Sequence, residues 1–155
     1  MILTVVATTE DGVITMGIDY GYLTTGAKLG EDDEGEEGTD GAKASPLLCG
    51  RDHLGWIFCH CLRSKGTEDE HSEKMLTTEI VRSGEAKVLV KSDGELAIRK
   101  LGQMSAAAAR ISDGVTVLIE QTPKGESKAN GIVGGAVRDC KAKVRTLKCA
   151  TEKFL

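Results

Sequence analysis

A short apolar run, Lys87-Val88-Leu89-Val90-Lys91, lies between two segments with helical hydrophobic periodicity, and this order constrains the fold most. A strand that is apolar throughout is buried on both faces, as in a parallel sheet. Parallel neighbours need long right-handed crossovers, which the flanking helices supply. The helix before the run is marked by a capping-box pair, Thr67 and Glu70, by Met75, Leu76, Ile80 and Val81, and by Gly84 as a stop. The helix after it carries Ala97, Leu101, Met104 and Ala108 at spacings of four, three and four.

Around this unit the pattern predicts further strands over Val13–Leu23, Ser45–Arg51, Leu54–Leu62 and Val115–Glu120, and a long helix from Ser127 to Ala150. The first three strands have connections suited to antiparallel pairing. The expected order is three strands, then helix, strand, helix, strand, helix: an α/β fold with a five-stranded mixed sheet flanked by helices, as in RNase H-like proteins. The 155 residues fit one domain.

The net charge of −4 hides an uneven distribution. Seven of the 24 acids are Glu31, Asp32, Asp33, Glu34, Glu36, Glu37 and Asp40, within a Gly-rich stretch over 26–44 that reads as a solvated, mobile insertion. The other 17 acids face 20 Lys and Arg, so the rest of the chain is weakly basic. Aromatics make up 3% of the residues, which argues against a module that stacks bases on rings. No run of 18 apolar residues exists, so no membrane-spanning helix is expected. Cys49, Cys59, Cys61, Cys140 and Cys149 form no CxxC pair; they read as packing residues, with zinc as the second reading. An odd cysteine count and a start, Met1-Ile2-Leu3-Thr4, unlike a targeting peptide suggest a reducing nuclear or cytoplasmic setting.

Two carboxylates stand out by position. Asp19 lies inside an apolar strand, and Asp93 follows the Lys87–Lys91 run where the chain leaves the sheet. Ligand sites of α/β sheets gather at such strand ends. Two carboxylates brought together repel unless a cation lies between them, and oxygen ligands suit Mg²⁺ or Mn²⁺. The plainer reading makes Asp19 a hydrogen-bonded strand residue and Asp93 a turn or cap.

The ordered set Gly17-Ile18-Asp19-Tyr20, Ser64-Lys65-Gly66, Lys91-Ser92-Asp93-Gly94-Glu95 and Asn130-Gly131-Ile132-Val133 resembles the integrase catalytic cores of retroviruses and long-terminal-repeat retrotransposons, over roughly residues 14–148. The resemblance implies a D,D,E triad binding two Mg²⁺ (or Mn²⁺) ions for DNA 3′-end processing and strand transfer. Asp19 and Asp93 match the first two ligands. The third should be a glutamate three residues after Gly131, where this chain has Gly134. The expectation is therefore an impaired polynucleotidyl transferase, since neither Glu126 nor Glu95 is a good substitute by position. It further implies a homodimer, and a core lacking the amino-terminal zinc and carboxy-terminal DNA-binding domains.

The long helix points to DNA on its own account. Arg138, Lys141, Arg145 and Lys148 form a basic stripe at spacings of three, four and three, beside an apolar stripe of Val133, Val137, Cys140, Val144 and Leu147. Lys124, Lys128 and Asn130, around the start of the helix, are further candidate DNA contacts. The alternatives are a non-catalytic nucleic-acid-binding or assembly domain of the same fold, and an RNase H-like nuclease.

Overall fold

The computed structural model describes residues 12–24, 44–123 and 131–154. The acidic stretch up to residue 43, and Lys124, Glu126, Lys128 and Asn130, lie outside the described residues. In chain order the elements are β1 (Val13–Thr24), β2 (Ala44–Asp52), β3 (Ile57–Cys61), α1 (Glu70–Arg82), β4 (Lys87–Ser92), α2 (Leu96–Asp113), β5 (Thr116–Gln121) and α3 (Gly131–Lys153). They build one five-stranded sheet in the order β3-β2-β1-β4-β5. The β1–β2 and β2–β3 pairs are antiparallel, and the β1–β4 and β4–β5 pairs are parallel. This is the mixed sheet expected from the element order, with the strand arrangement of RNase H-like folds.

Alternation along β1 sorts its residues between two faces. Ile14, Met16, Ile18 and Tyr20 are buried, and the last three join Leu48, Phe58, Val88 and Val90 beneath Leu76 and Ile80 of α1 and Ile98 and Leu101 of α2. The opposite residues, Gly17, Asp19 and Gly21, lie under α3. A Cβ on Gly17 would stand 3.2 Å from Val133 Cβ, and one on Gly21 would stand 2.9 Å from Val137 Cγ1. The two glycines let α3 settle onto β1 one turn at a time. A smaller apolar group on that side joins Leu47, Cys49 and Cys140 with Leu23, Ile57, Cys59 and Val137.

Three local expectations shift. Helix α1 starts after Thr67: its N-cap is Asp69, whose carboxylate accepts from His71 N at 2.9 Å. Gly66 N donates to the Tyr20 hydroxyl at 3.0 Å, which ties this segment to β1 and delays the helix. Helix α2 buries Ile98, Leu101, Gly102, Ser105 and Ala109, while Met104 stays 44% exposed. Small residues win that face because α1 packs against it, and Ser105 Oγ reaches Glu73 O at 3.4 Å. On α3, Val133, Ala136 and Cys140 are buried, but Leu147 is 67% exposed. By Leu147 the helix has climbed about 21 Å from Val133 and left the cover of the sheet.

Candidate metal and nucleic-acid site

Parallel pairing brings the two aspartates together. The β1–β4 ladder matches Val13 with Lys87 and continues to Gly17 with Lys91. The same offset carries Asp19 to the level of Asp93, the first residue beyond β4. Asp93 stands just past the carboxyl end of β4, and Asp19 lies in mid-β1, two residues beyond its last β4 partner, on the strand that has an antiparallel neighbour on one edge and a parallel one on the other. In sheets of this kind ligands bind at such a switch point.

The turn after β4 is built from side chains. Asp93 Oδ1 accepts from Glu95 N at 3.0 Å, and Asp19 Oδ1 accepts from Tyr20 N at 2.8 Å. The plainer reading of both residues thus holds for one oxygen of each carboxyl group. Among the described residues, Oδ2 of each makes no hydrogen bond and remains free to serve a ligand.

Electrostatics set Asp19 apart. Burial pushes its carboxyl up to about 6, against a Tyr20 amide bond that lowers it, and the charges of Asp93 and Glu95 push it further up. Lys65 is the compensating cation, but its ammonium is held by Glu95 Oε1 at 2.7 Å. It also lies 5.2 Å from the centre of the Tyr20 ring and 4.9 Å from that of Tyr22. Burial works against the Lys65 charge, yet hydrogen bonds to Glu95 and Tyr22 outweigh it and raise its titration. Three acids and one lysine therefore share this corner, leaving an excess of negative charge. A hard divalent cation would offset it, and two carboxylate oxygens with water or phosphate oxygens are an adequate set for Mg²⁺.

Helix α3 supplies the wall beside the pair. A Cβ on Gly135 would lie 3.8 Å from Arg51 of β2, and Cys140 packs with Cys49 of β2 and Cys59 of β3. Those contacts define the β2 side of the helix. At about 100° per residue, Gly134, Arg138, Lys141, Arg145 and Lys148 share a different face of the helix, which Lys141 brings beside Gly21 of β1. Arg138, Arg145 and Lys148 are exposed, and Lys148 pairs loosely with Glu152 at 3.8 Å. Lys141 is half-buried, with its stem near Gly21. Gly134 opens on free space: a Cβ there would meet nothing within 4 Å.

The sequence pattern marks Asp19 and Asp93 as candidates, discounts Glu95 and assigns Lys65 no role. Both belong to the cluster. The signal for Lys65 was the Ser64-Lys65-Gly66 motif itself; nothing in the spacing of Lys65 and Glu95 announced their ion pair.

No protein-family model matches the sequence, and no curated protein matches it. Among solved structures the chain is similar to one in the simian T-cell lymphotropic virus intasome in complex with PP2A regulatory subunit B56 gamma. The TM-score is 0.41 at 8% identity, over 81% of this chain and 41% of that one. It is also similar to a chain of the Drosophila P element transposase strand transfer complex, with a TM-score of 0.37 at 14% identity, over 72% of this chain and 26% of that one. The chain spans less than half the length of either.

Proposed function

We propose that this chain is an integrase-type nucleic-acid-processing domain that uses Mg²⁺ or Mn²⁺ at Asp19 and Asp93 and acts weakly because Gly134 occupies the place of a third carboxylate. The observation that carries this reading is the Asp19–Asp93 juxtaposition at the sheet's switch point, with Asp19 held up to about 6. A carboxylate whose charge is opposed by burial and by like charges is one that a bound cation would relieve.

In this reading Asp19 and Asp93 each lend the free carboxylate oxygen to the ion and use the other to stay oriented. Bound there, the ion supplies Lewis acidity to a phosphate and acidifies an attacking water or 3′-hydroxyl. Glu95 holds Lys65 away from direct pairing with Asp19, which keeps that carboxylate available. The α3 face of Arg138, Lys141, Arg145 and Lys148 would hold the DNA backbone beside the site by phosphate contacts, without reading sequence. Lys124, Lys128 and Asn130 would extend that track, and a homodimer is the assembly implied by the family resemblance.

A Gly134→Glu variant tests the assignment, because the space around Gly134 admits the longer side chain. Mn²⁺ titration should show tighter binding than in the parent chain, and Mn²⁺-dependent nicking or strand transfer on DNA should rise with it. No gain in either property would remove the triad assignment. Cleavage of an RNA–DNA hybrid in preference to duplex DNA would favour the nuclease reading.

Gly134 itself favours a second reading, a non-catalytic nucleic-acid-binding or assembly domain. There the basic face of α3 carries the function and the aspartates do not. Neutral substitutions at Asp19 and Asp93 would then leave DNA affinity unchanged with and without Mg²⁺.

A further inference from the structure

On the other side of α3 the sheet gathers a second set of donors, chemically unlike the first. Cys49 and Cys59 are direct cross-strand partners in the β2–β3 ladder, and their sulfurs lie 3.6 Å apart. Cys140 descends from α3 onto the pair, so that all three Sγ atoms lie within 4.8 Å of one another. All are free thiols. Cys49 is fully buried and Cys140 is 7% exposed. Leu23, Leu47, Ile57 and Val137 pack around them.

We propose that Cys49, Cys59 and Cys140 form a three-sulfur site for a soft cation, cuprous copper in preference to zinc. The geometry is close to what such an ion requires. A metal–sulfur bond of about 2.3 Å in a trigonal plane sets the sulfurs about 4 Å apart. The three thiols already stand between 3.6 and 4.8 Å, so binding asks for shifts of well under 1 Å. Thiolates select soft ions over Mg²⁺. Structural zinc is held by four protein donors, and among the described residues no fourth His, Cys, Asp or Glu joins the cluster. Cys59 is partly exposed and gives an ion a way in, while the apolar residues around Cys49 and Cys140 offer no fourth donor atom. Three donors in a mostly buried, apolar setting suit a three-coordinate monovalent ion. Binding displaces thiol protons to solvent and involves no redox change if copper arrives already reduced.

The donors come from β2, β3 and α3, so the ion would pin the last helix to the antiparallel edge of the sheet. That helix also carries Gly134 and the basic face. A sulfur-bound ion would thus brace the wall of the carboxylate site without entering it.

The test uses the full chain, reduced and free of oxygen, loaded with cuprous ion in the presence of a competing cuprous chelator. One copper per chain should be retained, and X-ray absorption should show three sulfur neighbours at about 2.3 Å. Cys59→Ser and Cys140→Ala should each weaken retention at least tenfold, while Cys61→Ser and Cys149→Ser should not. Asp19→Asn should retain copper as the parent does, which separates this site from the carboxylate pair. Oxygen or nitrogen neighbours at the metal, equal retention by all four cysteine variants, or zinc retained where copper is not would overturn the proposal. The absorption measurement is made on the unaltered chain, so it decides the matter even if a variant folds poorly.

Discussion

Replacing Asp19 by Asn removes the charge that its surroundings oppose and keeps an oxygen to accept from Tyr20 N. The folded carboxyl titrates at about 6, against an ordinary value of 3.8. Between those values the native chain holds more protons than the unfolded one, so stability falls as pH rises from about 4 through 6 and stays reduced above that. A shift of about two pH units corresponds to about 3 kcal/mol. Water at the half-buried group trims this to about 1–2 kcal/mol. Urea unfolding at pH 7.5 without divalent ions should therefore place the midpoint of Asp19→Asn above the parent by about 0.5–1 M. At pH 4, where the parent carboxyl is already protonated, the two midpoints should converge. Millimolar Mg²⁺ at pH 7.5 should narrow the gap from the other direction, because the parent chain binds the ion and the variant does so poorly. An Asn chain no more stable than the parent at pH 7.5, or one with the same advantage at both pH values, would refute the reasoning.

Four further outcomes follow from the geometry. Glu95→Gln removes one of the charges that raise the Asp19 carboxyl and frees Lys65 to face it, so the Asp19 value should drop below about 6 in a carboxyl-detected NMR titration. Without metal, Gly134→Ala should stabilise the chain by about 0.5–1 kcal/mol, since a Cβ there meets nothing and Gly is a poor helix residue; thermal unfolding reads this as a rise of about 2–3 °C. Gly21→Ala should instead destabilise by about 1–3 kcal/mol in urea, because the new methyl drives Val137 and α3 off β1. Neutralising Arg138, Lys141 and Arg145 together should flatten the plot of log DNA affinity against log salt by about 2–3 units, and an unchanged slope would remove α3 from the DNA path.

Local pattern and chain order were enough to place every described strand and helix to within a few residues. Alternating and continuous apolar runs report burial directly, and the helices between the later strands leave little choice but parallel crossovers. Asp19 was legible for a related reason, since a carboxylate inside an apolar strand is conspicuous. Its partner at Asp93 was legible because the chain visibly leaves the sheet there. Helix faces were harder to read. Met104 outranks Ser105 in hydrophobicity, yet α1 packs against the serine side, and no local rule records how closely two helices approach.

Contacts between distant segments were decided by the fold alone. The pairing of Lys65 with Glu95, the close seating of α3 on Gly17 and Gly21, and the meeting of Cys49, Cys59 and Cys140 all join residues from separate elements. Cys59 and Cys140 are 81 positions apart, and only strand register and helix rotation put them side by side. The sequence alone determined which segments bury themselves and in what order. Tertiary structure decided which side chains meet, because that depends on register, on helix rotation and on where a missing Cβ lets backbones come together.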